Sequence, residues 1–141
     1  MARTFHRGLS RRVLDRVMAA VLRRGKGPPG IWLLVVPGRR SGEPRSTPVS
    51  LAEVDGTRYL VAPYGEVQWV RNVRAAGRVT LVRGASEEHA VTEVGPDEAA
   101  PVLRRYISQN RITRPYFEAT VDSPVEAFAA EAARHPVFRL G

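Results

Sequence analysis

The stretch LLVVPGRRSGEPRSTP, residues 33–48, contains the features that decide the fold. Its apolar beginning belongs to a run from Ile31 to Val36, which predicts a short buried strand. The segment 38–44 combines glycine, proline and basic residues and predicts a turn. Residues 46–54 then predict a second strand. A strand, a short turn and another strand indicate that the two strands pair in an antiparallel manner.

The rest of the chain continues this pattern. A third strand is predicted at residues 57–62, and Asp55-Gly56 before it is typical of a two-residue hairpin turn, which requires positive φ angles. Further strands are predicted at residues 79–83, 88–94 and 136–140, with a turn at 84–86. Helices are predicted at residues 8–24, 67–76, 96–108 and 123–134, with a polar loop at 109–115. We therefore expect an α+β, mainly β protein: an antiparallel barrel with an N-terminal amphipathic helix and flanking helices.

Length and composition limit the classes of protein. The 141 residues fit one domain, which we divide into a basic helix with its linker, residues 1–27, and a barrel, residues 28–141. The chain has no cysteine, which excludes a disulfide scaffold and a thiolate nucleophile. Its three histidines lack a metal-ligand spacing, so no metal site is predicted. Because no stretch approaches the roughly 20 apolar residues of a membrane span, we expect a cytoplasmic protein.

The positive charge is concentrated in one part of the sequence. Residues 1–45 contain 11 basic and 2 acidic residues, whereas the remainder is close to neutral. Such asymmetry indicates an anionic partner: a membrane surface, nucleic acid or a phosphorylated ligand. Nucleic acid ranks last, because the basic helix has no interleaved aromatic residues. Peripheral contact with the anionic inner face of the membrane stays open.

Three pieces of the sequence together resemble the deazaflavin (F420)-dependent nitroreductase family. They are residues 33–42, the segment Pro-Arg-Ser-Thr-Pro at 44–48, and the segment Trp-Val-Arg-Asn-Val-Arg-Ala at 69–75. Their order and spacing match from about Ile31 to Leu81, and residues 134–138 resemble the closing strand of the family. The resemblance implies a split β-barrel, like that of the pyridoxamine-phosphate oxidases, with coenzyme F420 in a groove beside the barrel.

The resemblance also implies an activity, namely hydride transfer from reduced F420 to a hydrophobic acceptor such as a quinone, an enone or a nitroaromatic compound. An FMN-binding relative is one alternative. Another is a split barrel that binds lipids or fatty acids with weak or no redox activity. The segment 63–68 favours this second alternative, because it is short, lacks a lysine and contains Glu66. A homodimer is left open.

Candidate cofactor ligands occur in both halves of the resemblance. Arginine and hydroxyl side chains near the first turn suit the phosphate and polyglutamate tail of F420, and Trp69 and Asn72 share one helix face. By resemblance, the predicted cofactor-binding residues are Arg39, Arg40, Ser41, Arg45, Ser46, Thr47, Pro48, Val49, Ala62, Pro63, Tyr64, Gln68, Trp69, Val70, Arg71 and Asn72.

Two tyrosines are candidates for the chemistry itself. Tyr64 lies in the segment before the second helix, and Tyr116 lies in a region that lines the substrate side in the family. Each is predicted as a proton donor or as a hydroxyl that orients the acceptor. A packed aromatic ring with its hydroxyl at the surface is the structural alternative for each of them.

Overall fold

The computed structural model describes the backbone of residues 9–141 and the side chains of residues 12–141. Its strands are β1 (Ile31–Pro37), β2 (Pro44–Val54), β3 (Thr57–Val61), β4 (Arg78–Arg83), β5 (Ala85–Glu93) and β6 (Val137–Leu140). Its α-helices are α1 (Leu9–Arg23), α2 (Gln68–Ala76), α3 (Pro96–Gln109) and α4 (Val125–Glu131). Short 3-10 helices cover Arg111–Tyr116 and Ala132–Arg134. Gly8, the first residue of the predicted N-terminal helix, lies outside the described residues.

The strands close into a barrel in the order β1-β2-β3-β6-β5-β4, and every neighbouring pair is antiparallel. The predicted antiparallel barrel is therefore confirmed. The hairpin at Asp55-Gly56 is confirmed as well, because Val54 pairs with Thr57 across it. Asp55 and Gly56 have φ angles of 51° and 79°, which are the positive values that a tight two-residue turn needs.

Several predicted boundaries are wrong. Strand β5 begins at Ala85 instead of residue 88, because Arg83 pairs with Ala85 and only Gly84 turns between them. Strand β2 begins two residues earlier than predicted, where Pro44 pairs with Pro37. Small and rigid residues at both places resemble turn sequences, but pairing with a neighbouring strand extends the sheet through them.

The C-terminal third also differs from the prediction. The polar loop predicted at 109–115 is largely a 3-10 helix, Arg111–Tyr116. Arg114 stabilises it by donating from Nε to the carbonyl of Ile107, at 2.8 Å. The final helix is α-helical only to Glu131 and continues as a 3-10 turn to Arg134. Tertiary hydrogen bonds of this kind have no local sequence signal.

Two hydrophobic clusters form the core. One fills the barrel and includes Leu34, Leu60, Leu81 and Phe138. The other lies between the β2–β3 hairpin and helices α3 and α4, with Phe128 fully buried within it. Burying a large apolar side chain contributes about 1.5–3 kcal/mol, so the barrel and its helices stabilise one another. The result is a rigid wall on which loops can hold a site.

Helix α1 is attached to the barrel at its C-terminal end. Leu22 is fully buried with Leu33 and Val82, and its carbonyl accepts a hydrogen bond from Gly84 N–H at 3.0 Å. The opposite half of α1 exposes apolar side chains: Val13, Leu14 and Val17 are 54%, 64% and 58% exposed. None of the described helices is long and apolar enough to cross a membrane.

Candidate functional site

An open cavity of about 710 Å³ lies where the β1–β2 turn meets the start of β2 and the start of α2. The first described turn of α1 reaches it as well. The cavity brings together the three sequence pieces that were singled out separately. Its walls are formed by Arg12, Gly38, Arg39, Arg40, Ser41, Arg45, Ser46, Thr47, Val67, Gln68, Trp69 and Asn72.

The β1–β2 turn is closed by its own backbone. Gly38 N–H donates to the carbonyl of Glu43, and Gly42 N–H donates to the carbonyl of Gly38, both at 2.8 Å. A Cβ atom on Gly38 would lie 3.2 Å from Ser41 Oγ and 3.4 Å from Arg45 Nε. A side chain at this position would crowd the turn, so glycine suits it. This close approach places Ser41 and the guanidinium of Arg45 side by side at the cavity.

Arg39 joins this turn to α2. Asn72 Oδ1 accepts two hydrogen bonds from it, from the backbone N–H at 3.1 Å and from Nη1 at 2.9 Å. Gln68 Oε1 accepts a third from Nη2 at 2.8 Å. Asn72 is only 5% exposed, so its hydrogen bonds with Arg39 connect the β1–β2 turn to α2 at a largely buried position. Both acceptors are neutral amides, so these three hydrogen bonds leave the positive charge of Arg39 in place at the cavity wall.

The electrostatics of the cavity are one-sided. Among the residues whose side chains are described, four arginines line it, namely Arg12, Arg39, Arg40 and Arg45, and no aspartate or glutamate does. None of the ion pairs found within the described part of the chain involves these four side chains. Cations that are held close without counter-charges repel one another, and a bound anion relieves that repulsion.

The sequence pattern did not single out Arg12 as a ligand. Its helix was assigned to a separate segment, residues 1–27, yet Arg12 lies on the cavity wall. The concentration of positive charge in the first 45 residues was the signal that could have linked them. Folding places the helical and the turn parts of this basic region at one site.

The other predicted ligands lie at different depths around the cavity. Pro48 is half-buried and follows Thr47 along β2. Val49 and Val70 are buried in the barrel core, so only their backbones are available to a ligand. Arg71 is exposed on α2, whereas Ala62 and Pro63 are buried just after β3.

Tyr64 and Tyr116 are neighbours. Their ring centroids are 4.8 Å apart with the planes at 74°, an edge-to-face arrangement. Neither ring lines the arginine cavity. Tyr64 lies in the segment that leads from β3 into α2, three residues before Val67 of the cavity wall. The structure therefore unites two tyrosines that the sequence suggested independently.

A buried polar network lies beside the tyrosine pair and was missed in the sequence. His135 and Glu131 are 4% and 2% exposed, and the imidazole lies against the ring of Phe117 at a centroid distance of 3.8 Å. His135 Nδ1 is 2.8 Å from the carbonyl oxygen of Pro63, and Nε2 is 3.0 Å from Glu131 Oε1. Burial lowers the pKa of His135, although these hydrogen bonds act in the opposite direction.

Glu66 forms an ion pair with Arg74, which donates from Nη1 to its carboxylate at 2.9 Å. Arg74 also binds Glu93 through Nε and Nη2, both at 2.8 Å. The one guanidinium is shared by two carboxylates, so it reduces the negative charge of Glu66 without cancelling it. Nowhere in residues 9–141 do three potential metal-ligating side chains come together.

Comparisons with known proteins agree with this fold. The sequence profile of the F420H(2)-dependent quinone reductase family matches residues 9–128. A structure described as an F420-H2 dependent reductase is 18% identical, covers 80% of this chain and 95% of its own, and has a TM-score of 0.54. No curated protein sequence matches the chain.

Two further solved structures share the architecture. A chain described as a domain-swapped dimer is 17% identical, covers 94% of this chain and 96% of its own, and has a TM-score of 0.58. A candidate pyridoxamine 5′-phosphate oxidase of Listeria innocua is 15% identical, covers 91% and 92%, and has a TM-score of 0.51. At these identities the likeness concerns the fold alone.

The closed antiparallel barrel with its flanking helices is a split barrel of the pyridoxamine-phosphate-oxidase-like fold. With its matched region extending over residues 9–128, the chain belongs to the F420H(2)-dependent quinone reductase family. The enzyme is accordingly an F420-dependent reductase.

Proposed function

We propose that the arginine cavity binds the phosphate and the polyglutamate tail of F420, and that the enzyme reduces a hydrophobic acceptor: a quinone, an enone or a nitroaromatic compound. The observation that supports this proposal best is the cluster of arginines at 12, 39, 40 and 45, next to which no described carboxylate lines the cavity. A ligand with several negative charges along an extended path is the chemical complement of such a wall.

The donor set of the cavity fits this cofactor. Arg40 and Arg45 are exposed at the turn, and their guanidinium groups are free of protein ion pairs within the described chain. Guanidinium groups bind phosphate and carboxylate oxygens through paired N–H donors. The nearby hydroxyls of Ser41, Ser46 and Thr47 add neutral donors. The two arginines would hold the anionic tail, and Arg39 would contribute charge while it keeps the turn on α2.

When bound, the reduced deazaflavin supplies the hydride. The residues of this chain would then bind and orient the reactants and exclude water. Trp69 forms an aromatic part of the cavity wall and packs against Phe138 of the barrel core, with ring centroids 6.4 Å apart. We assign proton delivery, or orientation of the acceptor, to the Tyr64–Tyr116 pair, since the two rings support each other.

Titration of the purified protein with F420 tests the assignment of the cavity. Arg45→Ala should weaken binding by about 1.5–3 kcal/mol, the contribution of one hydrogen bond to a charged group. Arg104→Ala is the matched control, because it removes the same charge from an exposed side chain near Asp55, at the opposite end of β2. Equal F420 affinities of the two variants would show that Arg45 does not bind the cofactor. Tighter binding of FMN than of F420 would show that FMN, and not F420, is the cofactor.

The exposed half of α1 carries apolar side chains, which agrees with an acceptor that is dissolved in a membrane. Val13, Leu14 and Val17 are more than half exposed, and Arg12 and Arg16 are exposed beside them. An apolar stripe that is flanked by arginines is typical of helices that lie on anionic membranes. We propose that this half of α1 brings the cavity to a membrane surface, where apolar acceptors are dissolved.

Vesicle co-sedimentation tests the role of α1. Binding to anionic vesicles should decrease as salt is raised, and replacing Val13, Leu14 and Val17 with serine should abolish it. Deletion of residues 1–26 should abolish it too, but should also lower the melting temperature, because it removes Leu22 from the core. If the triple variant co-sediments with anionic vesicles as fully as the unmodified protein does, α1 does not bind the membrane through these side chains.

We also propose a homodimer, supported by the similarity to a chain described as a domain-swapped dimer. Light scattering coupled to size-exclusion chromatography measures the mass directly. A mass of one 15.6 kDa chain at micromolar concentration would exclude a stable dimer.

A further inference from the structure

The buried network of His135 and Glu131 is not used in the proposed function, although it touches the segment that carries Tyr64. This segment, residues 62–67, connects β3 to α2 and enters the cavity wall at Val67. Ala62 N–H donates to the carbonyl of Pro136 at 2.8 Å, which continues the pairing of β3 with β6. The next residue, Pro63, lies beyond the last paired residue of β3 and has no N–H to donate.

The side chain of His135 binds the backbone at Pro63. Its Nδ1 atom lies 2.8 Å from the carbonyl oxygen of Pro63. A carbonyl oxygen only accepts, so Nδ1 must carry a proton and donate it. The imidazole thereby holds the backbone immediately before Tyr64. Two turns then lead to α2, closed by Gly65 N–H to the carbonyl of Ala62 and by Val67 N–H to the carbonyl of Gly65.

Glu131 sets the orientation of the imidazole. Its Oε1 atom lies 3.0 Å from His135 Nε2, and a lone pair of Nε2 directed at a bare carboxylate would be repulsive. One proton therefore lies on the bridge between these two atoms, in addition to the proton on Nδ1. Glu131 is itself fixed, because it accepts the backbone N–H groups of Glu118 at 3.0 Å and of Ala119 at 2.7 Å.

The same network reaches both tyrosines. Phe117, which follows Tyr116 in sequence, lies flat on the imidazole of His135. The segment of Tyr116 is thus held by the network through Phe117, Glu118 and Ala119, and the segment of Tyr64 is held through Pro63. The two rings meet edge to face, and the buried pair of His135 and Glu131 contacts both of the segments that carry them.

We propose that His135 is a positioning residue of the reaction: through the Pro63 carbonyl it places Tyr64 against the bound reactants, while Glu131 fixes the orientation of its ring. This inference rests on the proposed function, since it takes the Tyr64–Tyr116 pair as the group that meets the acceptor. The tail of the cofactor is held by arginines on other elements. Loss of the His135 contact should therefore change turnover and leave cofactor affinity almost unchanged.

Two substitutions of one residue separate the two hydrogen bonds. In His135→Asn the amide nitrogen lies near the position of Nδ1 and keeps the donor to Pro63. In His135→Gln it lies near the position of Nε2 and keeps the contact with Glu131. Both variants lose the stacked ring on Phe117. Stopped-flow measurement of kcat with menadione as the quinone, together with fluorescence titration of F420, gives the two readouts.

We expect His135→Gln to lower kcat by about 10–100-fold, the range that is typical when a supporting hydrogen bond of an active site is lost. His135→Asn should keep kcat near that of the unmodified enzyme, and both variants should bind F420 with unchanged affinity. Leu103→Ala is the control for stability: it opens a cavity in the core beneath α3, should lower the melting temperature and should leave kcat unchanged. Equal losses of kcat in all three variants would overturn the inference, because the effect would then follow stability.

A measurement on the unmodified protein covers the case in which the His135 variants do not fold. In ¹⁵N NMR of histidine-labelled protein, the buried imidazole should carry a proton on Nδ1. A resonance of an unprotonated Nδ1 would overturn the inference. Failure of the unmodified protein to bind F420 would instead overturn the proposed function, and the inference with it. If the unmodified protein binds F420 and turns over, but His135→Asn and His135→Gln have the same kcat, the inference is overturned and the proposed function stands.

Discussion

The arginines of this enzyme occur in two different environments. Arg58, Arg74 and Arg139 each bind a carboxylate, with N···O distances of 2.9, 2.8 and 2.8 Å. The arginines of the cavity, Arg12, Arg39, Arg40 and Arg45, line a surface to which the described side chains contribute no carboxylate. Residue type and charge are the same in both sets. The difference lies in the counter-charge, which the first set finds in a protein carboxylate and which we propose that a ligand supplies to the second set.

The paired arginines connect elements of the fold. Arg58 joins β3 to β5 through Glu87, and Arg139 joins β6 to α3 through Glu98. The hydrogen bond from Arg139 lowers the pKa of Glu98, and a second bond from Tyr59 acts in the same direction. The hydrogen bond from Arg58 likewise lowers the pKa of Glu87. These residues act on the fold, and we do not expect them to act on the cofactor.

The largest expected effect comes from removing one pair of arginines from each set. The double variant Arg40→Ala, Arg45→Ala should bind F420 at least about 150-fold more weakly, because two hydrogen bonds to charged groups are lost at about 1.5 kcal/mol or more each. The double variant Arg58→Ala, Arg139→Ala should bind it normally. Fluorescence titration of both proteins at low salt measures the difference. Similar losses in the two variants would mean that overall charge, and not the cavity, attracts the cofactor.

Asn72 offers a sharper comparison, because it holds Arg39 with a neutral acceptor. Asn72→Asp keeps an oxygen acceptor for Arg39 but adds a negative charge at the cavity. It should retain the melting temperature and weaken F420 binding about tenfold, a cost of about 1.4 kcal/mol in a partly desolvated site. Asn72→Ala should lower the free energy of unfolding by about 1–3 kcal/mol, because a buried hydrogen-bonded joint is lost. Unchanged F420 affinity in Asn72→Asp would place the anionic tail elsewhere.

A milder test uses salt, without any substitution. The Debye length falls from about 10 Å at 0.1 M to about 3 Å at 1 M ionic strength. Binding of F420 to the exposed arginines should weaken steadily over this range, as isothermal titration can show. The melting temperature of the protein without F420 should change little, because exposed ion pairs contribute little to stability. An affinity that is independent of salt would contradict a predominantly electrostatic site.

The smallest expected effect concerns the paired set at acid pH. Since the pKa of Glu98 is lowered from 4.5 in the fold, its ionised form stabilises the protein above pH 4.5, and this contribution is lost as the pH falls through the lowered value. Above pH 4.5 the melting temperature of Arg139→Ala should therefore be slightly lower than that of the unmodified protein. In more acidic solution the two melting temperatures should become equal. A difference that grows below pH 4 would have the wrong sign for this ion pair.

Much of the fold could be predicted because its signals are local. The apolar run of β1 and the Asp55-Gly56 turn each depend on a few adjacent residues, and both appear as expected. The start of β5 and the 3-10 helix Arg111–Tyr116 could not be read in this way. Strand pairing of Ala85 and the hydrogen bond of Arg114 to Ile107 come from partners that the local pattern does not show.

For the candidate site, too, some features could be predicted from the sequence and others depend on the tertiary structure. The sequence by itself determined the barrel, the family resemblance and the residue types that suit an anionic cofactor. Only the tertiary structure decided that Arg39 binds Asn72, 33 residues away, that Arg12 belongs to the cavity, and that Glu66 pairs with Arg74. It also brought Tyr64 to Tyr116 and both to the His135 network. The physical reason is that charge pairing and hydrogen bonding depend on distances of about 3 Å, which strand register and helix packing set between residues remote in sequence.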